Sequence, residues 1–401
     1  MSDAQTPLAL ADPTDVGIDP VALRALIDRA HREIDDGVLP SCQLAVAAGD
    51  RLVAYETIGR AAPDSRYVIF SCTKALVVGA FWLLLAEGAV TLDQTVAEVI
   101  PEFGTNGKDV VTVRQLLLHE SGFPHAPLDL LADTTRQQRL DRFARWRLNW
   151  DPGTRFEYHA TSAHWVMAEL IERLSAQSYL TFIRERILVP LGLRRLQLGV
   201  PPDQQADIND LEVRGEPPTS QELEAVFGVA GLTMETLQGE VTEAALLGFN
   251  LPLVRSLGVP GGGGVSTAAD LAQYYQALLH NPGRLWDPAV LAAGTAEVHG
   301  RLPDPLMGVS SNRALGLVIA GEAPDLVMRG FGHTVSPRTF GHAGAGGQIA
   351  FADPDTDISF VYLTNGLDAD VLRQHRRTSS LASYAGKLAA PTRGSGPPAE
   401  R

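Results

Sequence analysis

The sequence predicts an α/β fold whose sheet-bearing region is interrupted in the chain by a helical insertion. Three observations carry this expectation. Strand-like runs lie near both ends, at residues 42–48 and 51–57 and again at 314–320, 348–352 and 358–363. The stretch between them, about residues 90–255, is helical and loop-rich with few strand patterns. Helical patterns precede the first strands and follow the last. Strands from both ends share one sheet only if the insertion is looped out. This gives a discontinuous α/β domain of residues 18–70 and 256–390 and a helical domain of residues 71–255. A cleft between two such regions suits a small-molecule site.

Each element has a local reason. Asp19-Pro20 opens a helix, with proline where its missing N–H is not needed; Leu23, Leu26, Ile27 and Ala30 recur at helical spacing before Gly37. Runs 42–48 and 51–57, split by Gly49-Asp50, read as a hairpin. Residues 61–65 form a loop that delivers 67–70 to a helix beginning at Ser71 and ending near Glu87-Gly88. In the insertion, 161–175 and 179–189 are amphipathic helices, the second stopped by Pro190-Leu191-Gly192. Residues 200–220 are polar and proline-rich, an expected exposed loop, and 221–256 carry no clear pattern. Gly261 to Gly264 make a turn, and Ser266-Thr267 cap a helix from 268 to about 280. A last helix covers about 369–388. Residues 1–17 read as a flexible lead-in and 391–401 as a disordered tail.

Composition narrows the function. The 401 residues are 45% hydrophobic and 20% charged, an ordinary globular balance. A net charge of −14 argues against nucleic acid or an anionic membrane surface as main partner. The two cysteines, Cys42 and Cys72, sit in apolar runs and make no disulfide framework. The first residues lack a basic and then apolar leader pattern, so a cytoplasmic location is expected. The longest apolar run, about 75–86, is too short to span a bilayer. The ten histidines show no metal-ligand spacing, and neither metal nor cofactor is expected.

The chemistry concentrates at Phe70-Ser71-Cys72-Thr73-Lys74. Serine and lysine three residues apart at a helix start share one face, with the amine near the hydroxyl. A helix N-terminus favours negative charge there. Of the 33 basic residues, 30 are Arg and three are Lys: Lys74, Lys108 and Lys387. Arginine stays protonated, whereas a desolvated lysine can take a proton from serine. A chain that uses arginine almost everywhere has lysine here.

Four further stretches follow in order: Leu116-Leu117-Leu118-His119-Glu120-Ser121-Gly122, Pro152-Gly153-Thr154-Arg155-Phe156-Glu157-Tyr158, Gly262-Gly263-Gly264-Val265-Ser266-Thr267-Ala268-Ala269-Asp270, and Gly341-His342-Ala343-Gly344-Ala345-Gly346-Gly347. With the Ser-x-x-Lys tetrad, they make the chain resemble the serine β-lactamase and penicillin-binding-protein superfamily. The branch it is most similar to is the class C β-lactamase-like hydrolases, including the family VIII carboxylesterases. The resemblance spans roughly residues 15–388. It implies an antiparallel sheet flanked by helices with a large helical insertion. It also implies an acyl-enzyme on Ser71, with Lys74 and Tyr158 sharing the proton and Tyr158 passing it to the leaving group. The Ser71 and Ala345 N–H groups would form the oxyanion hole, where one donor is worth about 10²–10³ in rate. His342, Gly344 and Ala345 would contact substrate, His342 donating a hydrogen bond. His119 reads as a structural turn residue, and His159 and His164 as supporting positions beside Tyr158. His333, Arg338 and Trp150 are further candidates to line the cleft. The glycines at 261–264 lack a following Gly-Lys-Ser/Thr and read as a turn, not a phosphate cradle.

Two departures refine the reading. Relatives carry Tyr-x-Asn where this chain has Tyr158-His159-Ala160. Their asparagine helps hold the lysine and contacts a substrate amide; alanine is expected to do neither. The usual Lys-Thr-Gly box is His342-Ala343-Gly344. Both favour a carboxylesterase on small esters over a β-lactamase or peptidase; an acyltransferase and a D-amino-acid amidase of the same fold are further enzymatic alternatives. A catalytically silent ligand-binding relative is the alternative of another class. No Gly-x-Ser-x-Gly elbow supports an α/β-hydrolase.

Overall fold

The apolar runs from the two chain ends meet in one sheet. The computed structural model describes residues 9–126, 128–239 and 241–389; residues 1–8 of the expected lead-in and the tail at 391–401 lie outside the described residues. Six strands pair antiparallel throughout: β1 (Ser41–Ala48), β2 (Arg51–Gly59), β3 (Val318–Ile319), β4 (Phe340–Gly341), β5 (Ile349–Asp353) and β6 (Ile358–Thr364). Their order across the sheet is β2-β1-β6-β5-β4-β3. The N-terminal hairpin thus docks on β6, with Val46 opposite Phe360.

Five helices position the rest: α1 (Pro20–Asp35), α2 (Lys74–Ala86), α3 (Ser162–Ser175), α4 (Ala268–His280) and α5 (Val371–Ala385). Strands β1 and β6 are buried on both faces, which is why they read as near-continuous apolar runs. Leu44, Val46, Phe360 and Tyr362 pack with Leu26 of α1 and Leu381 of α5. Ala45, Ala47, Val361 and Leu363 face the other way, into the core that holds α4 and α2. Helix α2 is apolar all round and buried from Lys74 to Leu84, the signature of a central core helix. It packs on α3 within the insertion.

Four sequence expectations change. Of the lead-in, residues 11–18 are tied down: Asp12 caps a short turn at Pro13–Val16, Ala11 N–H donates to Leu52 O on edge strand β2 at 2.8 Å, and Ile18 pairs with Ala389. The 200–220 stretch is not simply an exposed loop. Glu212–Arg214 pairs in parallel with Gly366–Asp368, and Asp207 takes up two arginines, Arg66 and Arg195. In 314–320 only Val318–Ile319 pairs, because Gly316 turns at φ 101° against Val78 and ends the run. Residues 221–256 fold into short helices, among them Ser220–Phe227, Met234–Gln238 and Glu243–Leu247, each opened by a threonine cap: Thr219, Thr233 and Thr242. Among the described residues no helix is long and apolar enough to cross a membrane.

Candidate active site

A short strand, Tyr67–Val68, pairs with Gly264–Ser266 and aims the chain at Ser71. Ile69 N–H then donates to Gly264 O at 2.9 Å, and Thr73 Oγ1 accepts from Gly264 N–H at 2.8 Å. Phe70 is forced to φ 42°, a left-handed conformation rare for a bulky residue, and packs edge-on to Phe249 at 5.4 Å. Such backbone persists where its surroundings dictate it, and here it sits one residue before Ser71. The α-helix expected from Ser71 begins at Lys74; Phe70–Thr73 form a tighter 3₁₀ turn.

Lys74 is fully buried. Its Nζ lies 3.2 Å from Ser71 Oγ and donates to the carbonyls of Ala160 and Gly261, each at 2.7 Å. Burial, then the nearby Arg313 charge, hold its pKa well below the ordinary lysine range, with Cys72 acting the other way. A neutral amine has two N–H donors and one lone pair. An amine deprotonated in this position, with both N–H groups on the two carbonyls, would turn its lone pair to the Ser71 hydroxyl. The expectation that residue 160 could not help hold the lysine is therefore corrected: alanine does so through its main chain. Gly261 is needed here, since a Cβ would stand 2.8 Å from Ala160 O.

The Tyr158 hydroxyl donates to Ser71 Oγ at 2.8 Å. Burial pushes its pKa up to about 12, partly opposed by the Ser71 hydrogen bond and by Arg313. Its loop is built on the His-Glu-Ser-Gly turn. His119 adopts φ 58° at the helix end and accepts at Nδ1 from His159 N–H at 3.0 Å, while its ring lies 4.9 Å from that of Tyr158. His159 Nδ1–H donates to Glu157 O at 2.7 Å, and Nε2 accepts from Phe123 N–H at 3.2 Å and faces Ser121 Oγ at 3.1 Å. Its burial pushes its pKa down to about 3, so the ring stays neutral. His119 and His159 are thus framework for Tyr158. His164 is buried in α3 with both ring nitrogens unpartnered.

The fourth wall is the 341–347 segment. His342 N–H donates to Ala350 O at 3.1 Å, and Cys72 Sγ donates to His342 O at 3.1 Å. A Cβ at Gly344 would stand 2.6 Å from Ile69 O, so glycine alone lets this segment lie against the Ser71 turn. The His342 ring gives Nδ1–H to Ala343 O at 2.7 Å and is kept neutral first by burial, then by Arg313 and Lys74. Its Nε2 is buried and has no hydrogen-bond partner among the described residues.

Ser71, Tyr158, Ala160, His342, Gly344 and Ala345 line one cavity of about 570 Å³. Much of its remaining wall is apolar, from Phe156, Leu237, Leu246, Leu306, Met307 and Val309. His333, Arg338 and Trp150 do not line it; Arg338 pairs with Asp355 at 2.7 Å and Trp150 Nε1 donates to Glu157 at 3.2 Å. Sequence reasoning missed Arg313. It is 6% exposed, lines the cavity, and lies over the rings of Phe156 and Tyr158 at 5.5 and 5.6 Å. Residues 311–314 match no motif; an unpaired buried cation becomes visible only in three dimensions.

The beta-lactamase family pattern matches residues 24–383. The chain belongs to the beta-lactamase family. It is 29% identical over 322 residues to the esterase/beta-lactamase LipL of Mycobacterium tuberculosis, covering 76% of this chain and 70% of that one. It is 26% identical over 398 residues to a putative D-alanyl-D-alanine carboxypeptidase of Salmonella paratyphi B, covering 89% and 86%. A penicillin-binding protein homolog from Caulobacter crescentus superposes with a TM-score of 0.72 at 27% identity, over 92% of this chain and 99% of that one. The molecule is a hydrolase of the serine beta-lactamase fold.

Proposed function

We propose that this hydrolase cleaves small carboxylic esters through an acyl-enzyme on Ser71. One observation carries the reading: Ser71 Oγ is shared between Lys74 Nζ at 3.2 Å and the Tyr158 hydroxyl at 2.8 Å. Ser71 Oγ attacks the ester carbonyl as its proton passes to the Lys74 lone pair. The carbonyl oxygen becomes an oxyanion facing the Ser71 and Ala345 N–H groups. The C–O bond to the alcohol breaks, the alkoxide takes the Tyr158 proton, and Lys74 returns a proton to the phenolate. Water then attacks the acyl-enzyme along the same path in reverse and releases the acid.

Ester is favoured over amide by the absence of a side-chain amide at Ala160 and by the apolar wall. The relative named esterase/beta-lactamase fits this choice. The relative named carboxypeptidase keeps peptide hydrolysis as a second reading. Turnover of p-nitrophenyl butyrate, a chromogenic cephalosporin and a D-alanyl-D-alanine peptide on one preparation separates them. The ester should give the highest kcat/KM by at least about 10²-fold. Faster cephalosporin or peptide turnover would replace the ester reading.

A further inference from the structure

We infer that Arg313 is a positioning residue that supplies the fixed positive charge of the site, opposing a second charge on Lys74 at rest and favouring the Tyr158 phenolate formed in turnover. The inference rests on the acyl-enzyme reading above. It starts from an anomaly. Arg313 is buried, yet its Nε and Nη1 have no hydrogen-bond partner and no carboxylate pairs with it among the described residues. A buried charge without a partner is expensive and needs a reason.

Its surroundings give one. The guanidinium lies over the faces of Phe156 and Tyr158, and Lys74 Nζ lies 4.9 Å from the centroid of the same Tyr158 ring. Two basic groups therefore lie beside one phenol, and no carboxylate forms an ion pair with either of them among the described residues. The groups facing this pair are Cys72, His119, His164 and His342, the three histidines held neutral by burial. Asp304 is the acidic group bearing on Arg313, and its Oδ1 accepts from the Leu306 and Met307 N–H groups of its own loop. The anion that balances the site appears during the reaction, first as the oxyanion and then as the Tyr158 phenolate. The 341–347 segment brings neutral His342 and no lysine, so the charge comes from a different part of the chain.

The three lysines of the chain make this directly measurable. Lysine labelled with carbon-13 at Cε gives three signals, with Lys74 assigned by its loss in Lys74→Arg. Removing a neighbouring cation stabilises the ammonium form, so Arg313→Gln should raise the Lys74 midpoint by about one pH unit. The acidic limb of kcat/KM should move up with it, and Arg313→Lys should bring both back toward wild type. A Lys74 midpoint unchanged in a folded Arg313→Gln protein overturns the inference, even if activity falls. If Arg313→Gln does not fold, Arg313→Met repeats the comparison. The titration does not need turnover. A shifted Lys74 in a protein whose Ser71 cannot be acylated would leave Arg313's effect on Lys74 standing and remove the acyl-enzyme reading instead.

Discussion

Lys74 Nζ lies 2.7 Å from the carbonyl oxygen of Ala160. The lysine is thus gripped by main chain at a residue whose side chain is a methyl group. Side-chain identity at 160 should then matter little to the base. Ala160→Ser and Ala160→Gly should keep ester kcat/KM within about tenfold of wild type, because the carbonyl persists. A loss of more than about 10³ in either would mean that the methyl group itself shapes the site.

Gly261 should be far less tolerant. A Cβ there meets Ala160 O at 2.8 Å, Thr161 Cα at 3.0 Å and Lys74 Nζ at 3.6 Å. Gly261→Ala must push the two carbonyls apart. We expect about 1–3 kcal/mol of destabilisation in a urea titration and at least a tenfold fall in kcat.

The pH profile has a definite sign. In the proposed mechanism Lys74 acts as the neutral amine, and burial lowers its pKa. The rate should therefore be lost as pH falls through that pKa and rise above it. Tyr158, pushed up to about 12, stays protonated across the same window, so the plateau should extend well into alkaline pH. Tyr158→Phe should keep the acidic limb while lowering kcat by about 10²–10⁴. A profile that falls as pH rises through neutrality would contradict Lys74 as base.

His159 should act through the loop. Its ring joins Glu157 O to the buried Phe123 N–H, in the loop that carries Tyr158. His159→Ala strands these groups, and about 3 kcal/mol of stability should be lost in thermal or urea unfolding. KM should change less than kcat, since His159 does not itself line the cavity.

The parts of this account legible in the sequence are those with short-range causes. Ser71 and Lys74 are three residues apart, and Tyr158 follows the Pro152-Gly153 turn. The strands 42–48 and 358–363 announce themselves because both faces are buried. What stayed hidden depends on long-range contact. The Ala160 carbonyl looks inert until Lys74 and Gly261 are brought to it. Arg313 is one arginine among 30 until its neighbours are found to be rings and not carboxylates. Residues 221–256 carry weak apolar periodicity because their helices are short and few of their side chains are buried. Thr219 with Glu222 spells a capping box that marks one of those helix starts in advance.

The most direct test of the central claim is the intact mass of the protein after exposure to a fluorophosphonate, compared with Ser71→Ala. We predict one covalent adduct on the wild type, absent from Ser71→Ala, with turnover of p-nitrophenyl butyrate lost in step. An adduct that survives in Ser71→Ala, or no adduct on a folded wild type, would contradict Ser71 as the acylated nucleophile.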